Sequence, residues 1–170
     1  MKFFAYIADI MTRALPIAVR AMREPYSFRH DGRVPPFPDA QPIIVFDGLC
    51  GFCSAWVQFV LKHDHAERYR FIAGQSKLGQ ALYLHYGLDA GNFESNILIE
   101  NGRAYFKADG SIRMFAGLGP PWSWVSFLRF VPNAILEPAY ELIARNRRRL
   151  LGRRDACFIP SSQFKERFLS

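Results

Sequence analysis

The chain has 170 residues, half of them apolar, with 22 Lys and Arg against 15 Asp and Glu for a net charge of +7. That is enough apolar material for one buried core, so a single domain is expected, and the positive balance favours acidic partners or an anionic surface without saying anything of fold. Three cysteines exclude the disulfide scaffold of small secreted proteins, which is short and even-numbered in Cys.

Residues 3 to 23 place Phe3, Ile7, Ile10, Met11 and Ala14 on one side and Arg13, Arg20 and Arg23 elsewhere. This spacing predicts an amphipathic helix that Pro16 kinks or restarts. Packing on its own domain or on a partner chain is the expected use of such a face, ahead of peripheral contact with a membrane. The stretch does not read as an export signal, because Asp9 interrupts its apolar run and Arg13 follows. No segment holds the ~18 uninterrupted apolar residues of a membrane span, and the chain reads as cytoplasmic. Pro25, Pro35, Pro36, Pro38 and Pro42 then predict an extended linker.

The run Ile43 to Phe46 is β-branched and aromatic throughout, as in a strand buried on both faces. Gly48 turns the chain, and helical spacing begins after Cys50. Cys50 and Cys53 therefore fall at a strand-to-helix junction, where backbone N–H groups lacking intrahelical partners stabilise a thiolate. Trp56, Val57, Val60 and Leu61 continue an apolar stripe from Cys53, which predicts Cys53 inward and Cys50 at the helix tip, open to solvent. The pattern points to Cys50 as attacking thiol and Cys53 as resolving thiol. Asp47, three residues ahead of Cys50, suits either a proton shuttle or a turn cap, and its negative charge raises a neighbouring thiol pKa.

A zinc site using His63 and His65 fails on distance. The ten residues of helix from Cys53 to His63, at ~1.5 Å each, separate them by about 15 Å. The histidines are expected in solvent at the helix end.

Tyr69 to Ala73 predicts a second strand, Ser76 a helix N-cap, and Gly87 that helix's end near Tyr86. Asn96–Glu100 and Arg103–Lys107 flank Asn101-Gly102, a strong hairpin signal, and a helix over Ser111–Leu118 follows. The order β-α-β-α-β-β-α is that of an α/β, thioredoxin-like fold. Beyond it, Pro120-Pro121 open a helix whose Trp122, Trp124, Val125, Phe127 and Leu128 supply an apolar face, with both tryptophans expected in the core. Pro132 stops it, and a last helix runs from about Asn133 to Leu151, ended by Gly152. The run Arg145, Arg147, Arg148, Arg149, Arg153 and Arg154 suits that helix's C-terminal dipole and a solvated face; with no groove-reading motif, nucleic-acid binding is not expected. Cys157 is expected to pack inertly, the other reading being exchange with the Cys50–Cys53 pair.

With Asp47-Gly48-Leu49-Cys50-Gly51-Phe52-Cys53, the chain resembles the DCC family of thiol–disulfide oxidoreductases. Phe71 to Ser76, the hairpin from Ser95 to Tyr105, and the block from Tyr140 to Gly152 with Cys157 behind it are similar to the same family. The likeness covers residues 42 to 160 and leaves 1–41 as an N-terminal extension and linker and 161–170 as a tail. It implies a thioredoxin-like fold and a dithiol/disulfide cycle at Cys50 and Cys53 with Asp47 beside them, acting on a protein or small-molecule disulfide and reset by an external dithiol or small thiol. It implies no metal or organic cofactor. Thioredoxins place a cis-proline opposite their cysteines; here Asn92-Phe-Glu-Ser-Asn96 has none, which puts Glu94 or Ser95 there, with Ser95 able to bond a sulfur. A non-catalytic accessory module, docking a membrane or protein partner through its first and last helices, is the alternative function.

Overall fold

The computed structural model describes residues 24–93, 95–152 and 156–169; the expected helix over 3–23 and Glu94 lie outside them. Strand β1 (Ile43–Phe46) leads to helix α1 (Gly51–His63), β2 (Arg70–Ala73), α2 (Lys77–His85), β3 (Ile97–Glu100), β4 (Arg103–Phe106) and α3 (Lys107–Ala116). A 3-10 helix (Trp122–Phe130), α4 (Asn133–Leu151) and β5 (Phe168–Leu169) follow. The sheet runs β4-β3-β1-β2-β5. β1 pairs parallel with β2 and antiparallel with β3. This is a mixed α/β, thioredoxin-like arrangement, with α4 and β5 added.

β1 is buried at every residue, and its alternation divides the core. Ile43 and Val45 join Ile72, Ile97 and the α2 residues Leu78 and Leu82 on one face. Ile44 and Phe46 meet Val57, Val60 and Leu61 of α1 and Met114 of α3 on the other. The hairpin forms where expected: Asn101 and Gly102 both take positive φ, the geometry of a type I′ turn. Ser76 caps α2 by accepting the Gly79 N–H at 3.0 Å.

Several expectations are corrected. The segment before β1 is more than a linker. It contains a 3-10 turn, Ser27–His30, and buries Phe28 in the core. His85 of α2 bridges Ser27 Oγ at 3.1 Å and Asp31 at 2.8 Å, which pins the segment down. Helix α3 starts at Lys107 rather than Ser111, because the Ser95 hydroxyl accepts the Lys107 N–H at 2.8 Å. Of the two tryptophans expected in the core, Trp122 is half-buried against Phe59, but Trp124 is 74% exposed. Residues three apart align on a 3-10 helix, so Trp124, Phe127 and Phe130 form one outward ridge, with ring centroids 6.2 and 6.4 Å apart. His63 is half-buried against Phe59 and Trp122 instead of standing in solvent.

Residues expected to form a tail complete the sheet: Phe168 and Leu169 pair with Phe71 and Ile72 of β2. They are held by a buried ion pair between Arg167 and Asp64. Asp64 also accepts the Tyr69 N–H at 2.9 Å, and Arg167 donates to the Tyr69 carbonyl. A buried charge left without its partner costs several kcal/mol, so Asp64→Ala is expected to lower stability by about 3–5 kcal/mol. Urea denaturation monitored by tryptophan fluorescence measures it, and Asp64→Leu/Arg167→Met together should recover much of the loss.

Candidate active site

The Gly48–Cys53 junction is built by three backbone events. After β1, Asp47 folds its carboxylate back to accept the Leu49 N–H at 3.0 Å, which closes the turn. Cys50, in extended conformation, is the N-cap of α1. Its sulfur accepts the Cys53 N–H at 3.2 Å, taking the place a Ser or Asp oxygen usually fills. The first-turn donor is thereby aimed at sulfur, and a negative charge there is favoured.

The two sulfurs titrate in opposite directions. A hydrogen bond from the Cys53 thiol is the main reason the Cys50 pKa falls to about 6. The Cys53 N–H and the Arg147 charge add to the drop, while burial and Asp47 oppose it. Cys53 is pushed up, first because its thiol is the donor in that bond, then by deeper burial and by the Cys50 charge. The arrangement thus favours the thiolate at Cys50 and the thiol at Cys53.

Asp47 is buried, with Oδ1 receiving the Gln75 side-chain N–H at 2.7 Å as well as Leu49. Of its two expected uses, the turn cap is the one this geometry displays. Gln75 also accepts the Gly48 N–H at 3.0 Å, so α1's approach and the β2–α2 turn are tied together. Ser95 does not bond a sulfur: its hydroxyl donates to the Asn96 carbonyl at 2.9 Å, accepts from Lys107, and meets Tyr140 Oη at 3.4 Å.

Arg147 went unnoticed as a site residue in the sequence. Within an arginine run expected to be solvated, it alone is buried among those described, at 7% exposure. Its guanidinium lies 3.8 Å from the Cys53 sulfur and donates to the carbonyls of Asn92 and Phe93. That loop is the stretch where thioredoxins carry their cis-proline; here it offers carbonyls to an arginine. The flanking arginines differ: Arg145 pairs with Glu141 at the surface, and Arg149 is exposed. Only helix phase distinguishes them, since Arg147 lies three residues after half-buried Ala144 and seven after half-buried Tyr140.

The expectation that Cys50 opens to solvent is overturned. Cys50 exposes 1% of its surface and Cys53 2%. The cover is the chain after α4: the Gly51 N–H bonds to the Gly152 carbonyl at 3.1 Å, and the Phe158 N–H to the Gly48 carbonyl at 2.9 Å. Cys157, half-buried, lays its sulfur against Gly48 and 3.8 Å from Gln75 Oε1. None of the three cysteines is joined in a disulfide. Among the described residues, no cluster of His, Cys, Asp or Glu is arranged to hold a metal ion, and no helix is long and apolar enough to cross a membrane.

Residues 44–153 match the family described as DCC1-like thiol-disulfide oxidoreductase. Among curated proteins, the chain is 35% identical over 127 residues to the uncharacterized protein YuxK of Bacillus subtilis, covering 75% of this chain and 93% of that one. It is 36% identical over 120 residues to a chloroplastic DCC family protein of Arabidopsis thaliana, covering 70% of each. No solved structure gives a significant match.

A methyl group on Gly48 would stand 2.4 Å from the Cys157 sulfur and 3.0 Å from Gln75 Oε1. Gly48→Ala is therefore expected to push the covering segment outward and speed iodoacetamide alkylation of Cys50 severalfold. In the wild type, that alkylation should follow a single ionisation near pH 6, and Arg147→Gln should move the midpoint upward. Stopped alkylation with mass spectrometry across pH reads both.

Proposed function

Because the chain belongs to the DCC1-like thiol-disulfide oxidoreductase family, we propose that it carries out thiol–disulfide exchange at Cys50 and Cys53. The observation that carries this reading is the placement of Cys50 as the N-cap of α1, its sulfur accepting the Cys53 N–H at 3.2 Å with Cys53 one turn inward. That geometry lowers the Cys50 pKa, while donation to Cys50 and burial raise that of Cys53. Exchange requires a thiolate to attack and a second thiol to displace what it has captured. The Cys50 thiolate attacks a sulfur of the substrate disulfide, and the mixed disulfide forms as the first substrate thiolate leaves. Cys53 then attacks Cys50, gives up its proton as the second substrate thiol departs, and closes the Cys50–Cys53 disulfide. Arg147 supports the second step, because its charge next to Cys53 favours the thiolate that must form there. Asp47 holds the turn that fixes Cys50 on the helix axis.

The substrate class is a disulfide of a protein or small molecule, and an external dithiol or small thiol resets the pair. Exchange of this kind needs no metal or organic cofactor. A cytoplasmic location belongs to the same reading, as the compartment in which reduced thiols persist.

The sealed state of both sulfurs favours a second reading, a non-catalytic module that keeps the fold and docks a partner. Reduction of insulin or of oxidised glutathione separates the two. Wild type is expected to turn over, Cys50→Ser to lose at least about a hundredfold in rate, and Cys53→Ser to accumulate a mixed disulfide with substrate. A wild type whose thiols never cycle under any reductant leaves only the module.

A further inference from the structure

Cys50 and Cys53 are both sealed, so a reductant that resets the pair needs a way in. Resting on the exchange reading just set out, we propose that the resetting reductant is a small thiol bearing a carboxylate, held in the cavity beside Arg147 and admitted from there to Cys53. That cavity has a volume of about 440 Å³, within the range of small-molecule sites. Asn92, Lys107 and, from α4, Tyr140, Glu141, Arg145 and Arg147 line it. Arg147 belongs to the cavity and to the dithiol at once, because its Nη1 lies 3.8 Å from the Cys53 sulfur. One side chain therefore stands between an open space and a sulfur that is otherwise buried.

Charge selects what the cavity holds. Lys107 pairs with Glu141 at 3.2 Å and with Glu137, beside the cavity, at 3.3 Å; Arg145 pairs with Glu141 at 3.4 Å. Three cations thus face two carboxylates, and the surplus rests on Arg147. Among the described residues, Arg147 bonds the Asn92 and Phe93 carbonyls and the Cys53 sulfur, and no carboxylate. Asp47, the other acid near the pair, is bonded to Leu49 and Gln75 instead. A buried guanidinium is costly without an anion. In the reduced protein the Cys50 thiolate serves from within, as the fall in its pKa beside Arg147 reflects. Closing the Cys50–Cys53 disulfide removes that negative charge. The oxidised pair is then the state that draws a carboxylate onto Arg147 from the cavity, and the thiolate restored by reduction loosens it again.

The sulfur next to the cavity is also the better one to attack. The small thiol loses its proton to solvent and its thiolate attacks Cys53; a mixed disulfide forms there, and Cys50 leaves as a thiolate. Of the two sulfurs Cys50 is the easier leaving group, its pKa being the lower at about 6. A second molecule of the thiol, deprotonated in the same way, attacks the outer sulfur of the mixed disulfide, and Cys53 leaves and takes up a proton. The pair has gained two electrons, and two small thiols have become one disulfide. Of the two protons they released, Cys53 holds one and solvent the other, since Cys50 stays ionised.

The test oxidises the full chain to the Cys50–Cys53 disulfide and follows its reduction by 3-mercaptopropionate, 2-mercaptoethanol and cysteamine, compared at equal thiolate concentration. The anionic thiol should be fastest and the cationic slowest. Its lead over the neutral thiol should be about tenfold at low salt and shrink as ionic strength rises. Arg145→Gln should cut that lead about threefold and Glu141→Gln should raise it about threefold, the effect of one charge roughly 7 Å away in water. Opposite signs from neighbouring positions separate charge from damage to α4. Arg149→Gln, exposed on the same helix and outside the cavity, should leave the lead unchanged. Rates that ignore the charge of the thiol, or a lead that Arg145→Gln and Glu141→Gln do not move or that Arg149→Gln moves as much, overturn the inference and leave the exchange chemistry standing. A disulfide that none of the three thiols reduces removes the exchange reading and this inference together.

Discussion

One hydrogen bond organises the chemistry of this molecule, the backbone N–H of Cys53 pointing at the sulfur of Cys50. It exists because Cys50 is the N-cap of α1, and it adds to the lowering of the Cys50 pKa that the Cys53 thiol begins. The thiol of Cys53, in the first turn of the same helix, donates to the same acceptor. Both donors belong to Cys53, three residues into the helix, so the division of labour between the sulfurs is a property of the helix start. Anything that tilts α1 or releases the Asp47 turn changes both ionisations together.

The rest of the fold holds that helix start in place and excludes water from it. β1 delivers the chain to the turn with every residue buried, and Gln75 ties Asp47 and Gly48 to the end of β2. α4 crosses behind and inserts Arg147 between Cys53 and the Asn92–Phe93 carbonyls. That guanidinium counters the thiolate from inside the protein, where water would otherwise be the only counter-charge. In exchange for low solvent access, the site gains a strong local field, a trade common where a nucleophile must be ionised but protected.

Much of this was legible in the sequence, and what was hidden shares a cause. β1, the Ser76 cap, the Asn101-Gly102 hairpin and the span of α4 are local patterns, and each appears where the periodicity or turn chemistry puts it. The cysteines' place at the helix start is local too. Burial of Cys50 is a different matter: its cover arrives from Gly152 and Phe158, about a hundred residues later, and nothing near Cys50 announces them. Arg147 sits in a run of like residues in which only helix phase marks it. β5 is two residues long, too short for any alternation to show. The exposed Trp124 ridge was misread because nine residues of apolar pattern fit an α-helix as well as the tighter 3-10 form that the chain takes.

The closing of the sheet by its last strand has a consequence for how the protein is made. Arg167 reaches Asp64 across 103 positions of sequence, and β2 has no outer neighbour until Phe168 and Leu169 arrive. A nascent chain that has already emerged as far as α3 carries an open, apolar β2 edge and an unmatched carboxylate beneath it. Through the whole interval in which the ribosome is still adding α4, that edge is a template for the wrong strand, from the same chain or a neighbouring one. Completing the sheet thus waits on Phe168 and Leu169 reaching β2, and until they do that edge stays open to mispairing.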